Sequence, residues 1–267
     1  MNEFITGDGT HLPVKVRIST RAKRLRLSLS FTGELEVVVP RQLSKKMGAP
    51  GPIQDFLEQH RPWIERAARR SQPQRETYRE SKAAGLPTHL EFPICDELWL
   101  VEYRQTQAQG VTAKSDGLRR IQGTRKVFSL RISGAILNED LCRRVLIRFV
   151  TQRAKQTIPG FAWEICRELN VRPASIAVNN RKSAWGVCTR SGDIRIDRRV
   201  MFLPRDLARQ IVLHEVAHLK HLNHSQRFYD ELLSYEGSTK EAEKAVKSAV
   251  RYVPAWFISG YNQGEAC

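Results

Sequence analysis

Acidic residues are scarce beside basic ones: 28 Asp plus Glu face 44 Lys plus Arg, a formal net charge of +16 over 267 residues. That excess disfavours cationic partners and suits polyanions, namely nucleic acid, nucleotides or an anionic membrane surface. A solvated basic surface with no specific partner explains it equally well. No run of 18 apolar residues occurs, which excludes a bilayer-spanning helix. Residues 1–20 lack the unbroken apolar core of a signal peptide, being interrupted by Asp8, His11, Lys15 and Arg17. The expected location is therefore the cytoplasm. Cysteine is sparse and scattered (Cys95, Cys142, Cys166, Cys188 and Cys267) with no C-x-x-C, which argues against a disulfide framework and a zinc ribbon. There is no Walker loop, no internal repeat and no low-complexity tract.

Against these absences stands one stretch, IVLHEVAHLKHLNHS, residues 211–225. His214, Glu215 and His218 form H-E-x-x-H, which on a helix puts two imidazoles on one face and able to share one ion. Glu215 follows the first ligand, where its carboxylate reaches a water on the ion rather than the ion itself. His224, six residues beyond His218, is the candidate third protein ligand. The bland alternative is an amphipathic core helix with chance histidines, and Leu207, Ile211, Val212, Leu213, Val216, Ala217 and Leu219 do resemble such a helix. Burying two histidines and a glutamate without partners would be costly, however, so the metal site is the better reading. The residue types fit one zinc ion per chain; the spacing alone does not choose zinc over manganese or nickel. His221 reads as a surface residue, and Asn223 as the left-handed turn that lets the chain double back to His224.

The segment from Ser183 to Phe228, with its KSAWGVC, SGDIRID and HEVAHLKHLNHSQRF stretches, resembles the YgjP-like metallopeptidase domain, and the likeness extends more weakly to the N-terminus. The resemblance implies a zincin-like fold, His214, His218 and His224 as zinc ligands, and Glu215 as general base. It also places Trp185 and Gly186 beside the metal as substrate-binding candidates, although Trp185 suits a core position equally well. Three positions depart from the family pattern: Ala184 stands for an arginine, Val187 for a serine and Tyr229 for a tryptophan. The implied activity is a cytosolic metallopeptidase acting on peptide or protein. Two alternatives stay open: a metal-dependent nucleotide (NTP/UTP) pyrophosphatase, and a nucleic-acid-associated protein with a structural zinc. SprT-type proteases, which act on DNA-bound proteins, share the H-E-x-x-H. Cys188 reads as a packed thiol rather than a nucleophile.

The expected architecture is α+β: a zincin-like catalytic domain with an N-terminal antiparallel β-rich portion. Residues 1–70 read as a β-meander, with strands at Val14–Ile18, Leu25–Leu29 and Leu35–Val39 and a turn at Thr32-Gly33, followed by a helix from Ile53 to Arg69 that Pro62 kinks or restarts. Lys15, Arg17, Lys23, Arg24 and Arg26 in this part suit phosphate binding, or simply the outer side of a half-exposed sheet. Residues 71–88 read as a polar linker. Residues 89–267 give strands turned at Gly110, Asp116-Gly117, Gly123 and Gly134, then helices: Asn138–Thr157, a second begun by Pro159 and ended at Asn170, the motif helix opened by Pro204 as its first residue, and a last helix capped by Ser238 and Glu241. Ser175–Val178 and Asp193–Asp197 read as strands flanking an AWGVC turn. The aromatic tail YVPAWFISGY packs onto the domain or offers a patch to a partner.

Overall fold

The computed structural model describes residues 3–30, 33–47, 50–83, 85–181 and 184–259. The chain forms two compact units, Met1–Ala83 and Ala84–Cys267. Both are α+β, and each of the three sheets mixes parallel and antiparallel pairs.

The first unit holds strands β1 (Glu3–Ile5), β2 (His11–Ser19), β3 (Arg26–Leu29) and β4 (Leu35–Pro40) in the order β1-β2-β4-β3, then the short α1 (Ser44–Met47), α2 (Pro50–Gln59) and α3 (Arg61–Ala83). The expected meander is not formed. β4 lies between β2 and β3 and runs parallel to β2, with Val14 opposite Leu35 and Ile18 opposite Val39. Burial explains the exchange. β4 is LEVVVP, buried nearly throughout, whereas β2 is exposed from Lys15 to Ile18 and β3 alternates with exposed positions, so both suit the places beside it. Leu12, Leu35, Val37 and Val39 pack with Leu57, Ile64 and Ala68 as this unit's core. Pro62 restarts the helix, since α2 ends at Gln59 and α3 begins at Arg61. Residues 71–83, expected as linker, continue α3. They are rich in the helix formers Arg, Gln, Glu and Lys, and Gln72 donates to Glu76 one turn on at 3.2 Å. The low apolar content therefore belongs to a helix and not to a linker. Of the expected Thr32-Gly33 turn, Thr32 lies outside the described residues, while Gly33 has φ +90°.

The second unit opens with β5 (His89–Phe92), β6 (Glu97–Gln105), β7 (Val111–Gln122) and β8 (Arg125–Gly134), ordered β5-β6-β8-β7. Asp116-Gly117 does not turn the chain; it makes a bulge in β7, where pairing with β8 slips between Ser115 and Leu118 and Gly117 takes φ +86°. Behind the sheet runs α4 (Glu139–Glu168), a single 30-residue helix where two were expected. Asn138 caps it, its Oδ1 accepting from Leu141 N at 3.1 Å, and Asn170, with φ +52°, lies just beyond its end. Pro159 lies inside. The carbonyl it leaves unpaired is that of Lys155, an exposed residue that water can serve, so the helix passes through. Trp99 stacks on Phe128 at 4.5 Å and meets Phe149 of α4 edge-on at 4.8 Å, joining sheet to helix.

A third sheet, ordered β10-β11-β9, consists of β9 (Ser175–Asn179), β10 (Gly186–Cys188) and β11 (Asp193–Asp197). Part of the expected AWGVC turn is thus itself a strand, antiparallel to β11 and outermost in its sheet. After a 3₁₀ segment, Arg198–Phe202, come α5 (Arg205–Ala217), α6 (Gln226–Ser234), α7 (Lys240–Lys247) and α8 (Ala255–Ser259). Thr239, not Ser238, caps α7, accepting from Ala242 N at 3.0 Å. Tail residues Trp256, Phe257 and Ile258 are buried, and Phe257 meets Phe202 at 4.9 Å; residues 260 and 261 lie outside the described residues. Among the described residues no helix is long and apolar enough to cross a membrane.

If Pro159 is tolerated rather than required, Pro159→Ala restores the missing backbone hydrogen bond and stabilises the second unit by about 1–3 kcal/mol. A higher urea midpoint for the transition of this unit is the expected result; a lower one would show that the proline ring itself contributes packing.

Candidate metal centre

Helix α5 carries Asp206 in its first turn, where a carboxylate complements the helix dipole, and buries Leu207, Ala208, Ile211, Val212, Leu213, Val216 and Ala217. Pro204 stands one position earlier than expected, as the residue before the first helical turn. This buried stripe fixes the rotation of the last turn and so aims His214 and Glu215. His218 follows the helix with φ −67° and ψ −16°, and its ring centroid lies 5.0 Å from that of His214. The chain then tightens, Leu219 N donating to Val216 O at 3.0 Å and His221 N to Ala217 O at 3.0 Å. Asn223 does not take the left-handed conformation expected of it, because these bonds have already turned the chain.

His214, His218 and His224 come together, their ligand-capable nitrogens all within 4.8 Å of one another. His214 Nε2 and His224 Nε2 are 3.0 Å apart. Tetrahedral coordination with metal–nitrogen bonds of about 2.0–2.1 Å needs nitrogen pairs roughly 3.3 Å apart, so the donor set fits a small transition-metal ion. The outer nitrogens are also engaged. His218 Nδ1 lies 2.9 Å from the carbonyl of His221, and His214 Nδ1 lies 3.3 Å from Glu243 Oε1. Both contacts place the ring proton on Nδ1 and leave Nε2 as the donor to a metal. His221 thus contributes through its backbone, with its side chain half-buried. Burial and the neighbouring imidazoles push His218 and His224 below the ordinary histidine range, favouring the neutral rings a metal requires.

Two participants escaped the sequence reading. Glu243, on α7, faces His214, and its Oε2 accepts from Gln210 Nε2 at 3.2 Å. Hydrogen bonding to His214 lowers its pKa despite half-burial. Phe228, fully buried on α6, packs against all three imidazoles with ring centroids 4.5–4.9 Å away. Both lie past the motif, and only tertiary packing brings them to it. The F in HSQRF was the one available signal.

Glu215 is buried on the opposite side of the cleft, against β10. A methyl group at Gly186 would sit 2.6 Å from Glu215 Oε1, so any side chain there would displace Glu215 from its position. Desolvation raises the Glu215 pKa to about 7, with the charge of His214 and a backbone hydrogen bond from Cys188 opposing. Its Oε2 is buried and has no hydrogen-bond partner among the described residues. Burial also raises the Cys188 thiol to about 11, which makes it a poor nucleophile. Trp185 is half-buried in the cleft wall, its ring 4.7 Å beneath the guanidinium of Arg199. Arg199 Nε donates to Asp197 Oδ1 at 2.7 Å, and its Nη2 donates to the carbonyls of Arg181 and Ala184 at 2.7 and 3.0 Å. That clamp pins the chain entering β10. Trp185, Gly186, Glu215 and the three histidines line one cleft of about 400 Å³, with Leu222, Val246 and Ile211 as apolar walls.

A profile of the YgjP-like metallopeptidase domain matches residues 23–249 of the 267-residue chain. The chain belongs to the YgjP-like metallopeptidase family. The match runs through both units and ends two residues past α7, so it takes in Glu243 as well as the three histidines. No curated protein and no solved structure matches the chain. Membership in the YgjP-like family, together with three histidines able to hold a metal ion, supports a metal-dependent hydrolase.

Removing the carboxylate that orients His214, by Glu243→Ala, should weaken metal binding by about 10–100-fold, as measured by competition with a chromogenic chelator; unchanged affinity would deny it that role. Glu215 gives a pH signature. In metal-stripped protein its folded carboxyl titrates near 7 and the unfolded one near 4.5. Between these values the folded state retains a proton that the unfolded state has released, so stability falls as pH rises from 4.5 to 7. Glu215→Gln abolishes the loss and, between about pH 4.5 and 8, should gain on the order of 3 kcal/mol relative to wild type. Parallel urea-midpoint profiles for the two proteins would refute this.

Proposed function

We propose that the protein is a zinc metallopeptidase, with His214, His218 and His224 as zinc ligands and Glu215 as general base. The observation that carries the reading is the cleft itself: three convergent imidazoles face a buried carboxylate with an unpartnered oxygen. Zinc held there would polarise the scissile carbonyl and lower the pKa of the attacking water towards about 7. Glu215, buried in the same cleft with an unpartnered oxygen, takes the proton from that water and delivers it to the departing amine. Glu243 and the His221 carbonyl hold two of the rings in the required tautomer. Trp185 and Gly186 serve the substrate. β10 is the outermost strand of its sheet and can align an extended peptide along the cleft, with Trp185 as an apolar contact.

The lining also favours a peptide over a nucleotide substrate. Among the described residues that line the cleft, none is lysine or arginine, whereas Glu215 and Glu243 are acids. Among these described lining residues a triphosphate would meet two carboxylates and no lysine or arginine, while an uncharged peptide backbone meets no such penalty.

The test combines metal content with turnover. Wild type should bind one zinc; His218→Ala should lose it; Glu215→Gln should keep it and lose hydrolysis of an unfolded protein substrate by at least about a hundredfold. Release of pyrophosphate from nucleoside triphosphates, with no peptide cleavage by the zinc-loaded protein, would overturn the peptidase assignment.

A further inference from the structure

The first unit carries 16 Lys plus Arg against 9 Asp plus Glu in residues 1–83, and its sheet distributes them unevenly. β2 and β4 are parallel, so both end at the same side, and antiparallel β3 begins there: Ser19 lies opposite Pro40, and Arg26 opposite Val38. The segments leaving that side are residues 20–26, TRAKRLR, and 41–45, RQLSK. They bring Arg21, Lys23, Arg24, Arg26, Arg41 and Lys45 together without a single acid. The unit's sheet acids, Glu3, Asp8, Glu34 and Glu36, belong to the other end. All six cations are exposed, and among the described residues none makes an ion pair.

The loop presenting them is built rather than loose. Ser19 Oγ accepts from the backbone N–H groups of Arg21 and Ala22 at 3.3 and 3.2 Å, and Leu25 and Leu27 pack into the core. By contrast, Lys15 and Arg17 on the sheet face are answered by Glu34 and Glu36 at 3.9 and 2.8 Å. The basic sheet face is therefore internally neutralised, and the unanswered charge sits at the strand ends.

We propose that this end of the first sheet binds nucleic acid through its phosphate backbone, without reading bases. Four of the six cations are arginines, whose fork pairs with phosphate oxygens in bidentate fashion. The segments contain no Phe, Tyr or Trp, which removes both base stacking and the aromatic anchoring typical of a bilayer interface. This inference is independent of the peptidase reading.

The experiment is fluorescence anisotropy of the full chain with a labelled 20-base-pair DNA duplex and a 20-nucleotide RNA, over a salt series. Six phosphate contacts predict a log–log salt slope of about −5 on duplex and an affinity loss of about 10³ between 50 and 200 mM salt. R21Q/K23Q/R24Q/R26Q should flatten the slope by roughly 3–4 and weaken binding at 50 mM at least tenfold. Glu215→Gln should bind as wild type does. R66Q/R69Q/R70Q, which removes three exposed charges from α3, should leave the slope nearly unchanged. No binding by wild type, an equal effect of the two charge variants, or binding only to phosphatidylserine vesicles would overturn the proposal.

Discussion

A carboxylate kept out of water is the constraint on which the catalytic unit turns. Glu215 projects from the last turn of a helix anchored in the core by its apolar stripe, and it meets a strand at a position where a side chain is absent. Isolating an ionisable group this way is costly unless something charged arrives beside it. The three imidazoles opposite supply the means: they gather around a point where a cation would restore the ionised carboxylate. Desolvation of the carboxylate and convergence of the imidazoles are two halves of one electrostatic arrangement. The Asp197–Arg199 clamp extends it, because it fixes the chain that delivers Gly186 to Glu215.

How far the sequence reveals this depends on the range of the forces involved. H-E-x-x-H is legible because helical geometry alone brings its residues together, and His224 follows closely enough for one compact turn. Glu243 and Phe228 are not, since their approach depends on how α6 and α7 fold back over α5, and no local pattern encodes that. Gly186 was marked only through resemblance; its physical reason, the proximity of Glu215, exists only in three dimensions.

The fold shows the same division. Alternation identified three of the first unit's strands, missing β1, but not their neighbours, since period-two patterning states which side is buried and not who pairs with whom. Degree of burial along β4 was the better clue to its central place. Pro159 misled because a proline breaks a helix only where the freed carbonyl lacks a substitute partner, and here solvent is at hand. Residues 71–83 misled because a polar composition is shared by linkers and by polar helices; the abundance of helix formers was the feature that distinguished them.

The place of Glu243 in the chain has a consequence in time. Synthesis releases His214, His218 and His224 within eleven consecutive residues, but the acid that orients His214 follows nineteen residues after the last of them, on a separate helix. Until α7 has emerged and docked, the nascent chain presents ligands whose first imidazole is still free to rotate. The centre therefore reaches its final affinity only once α7 has been made and docked, and a ribosome-bound chain stopped short of α7 would hold a metal loosely.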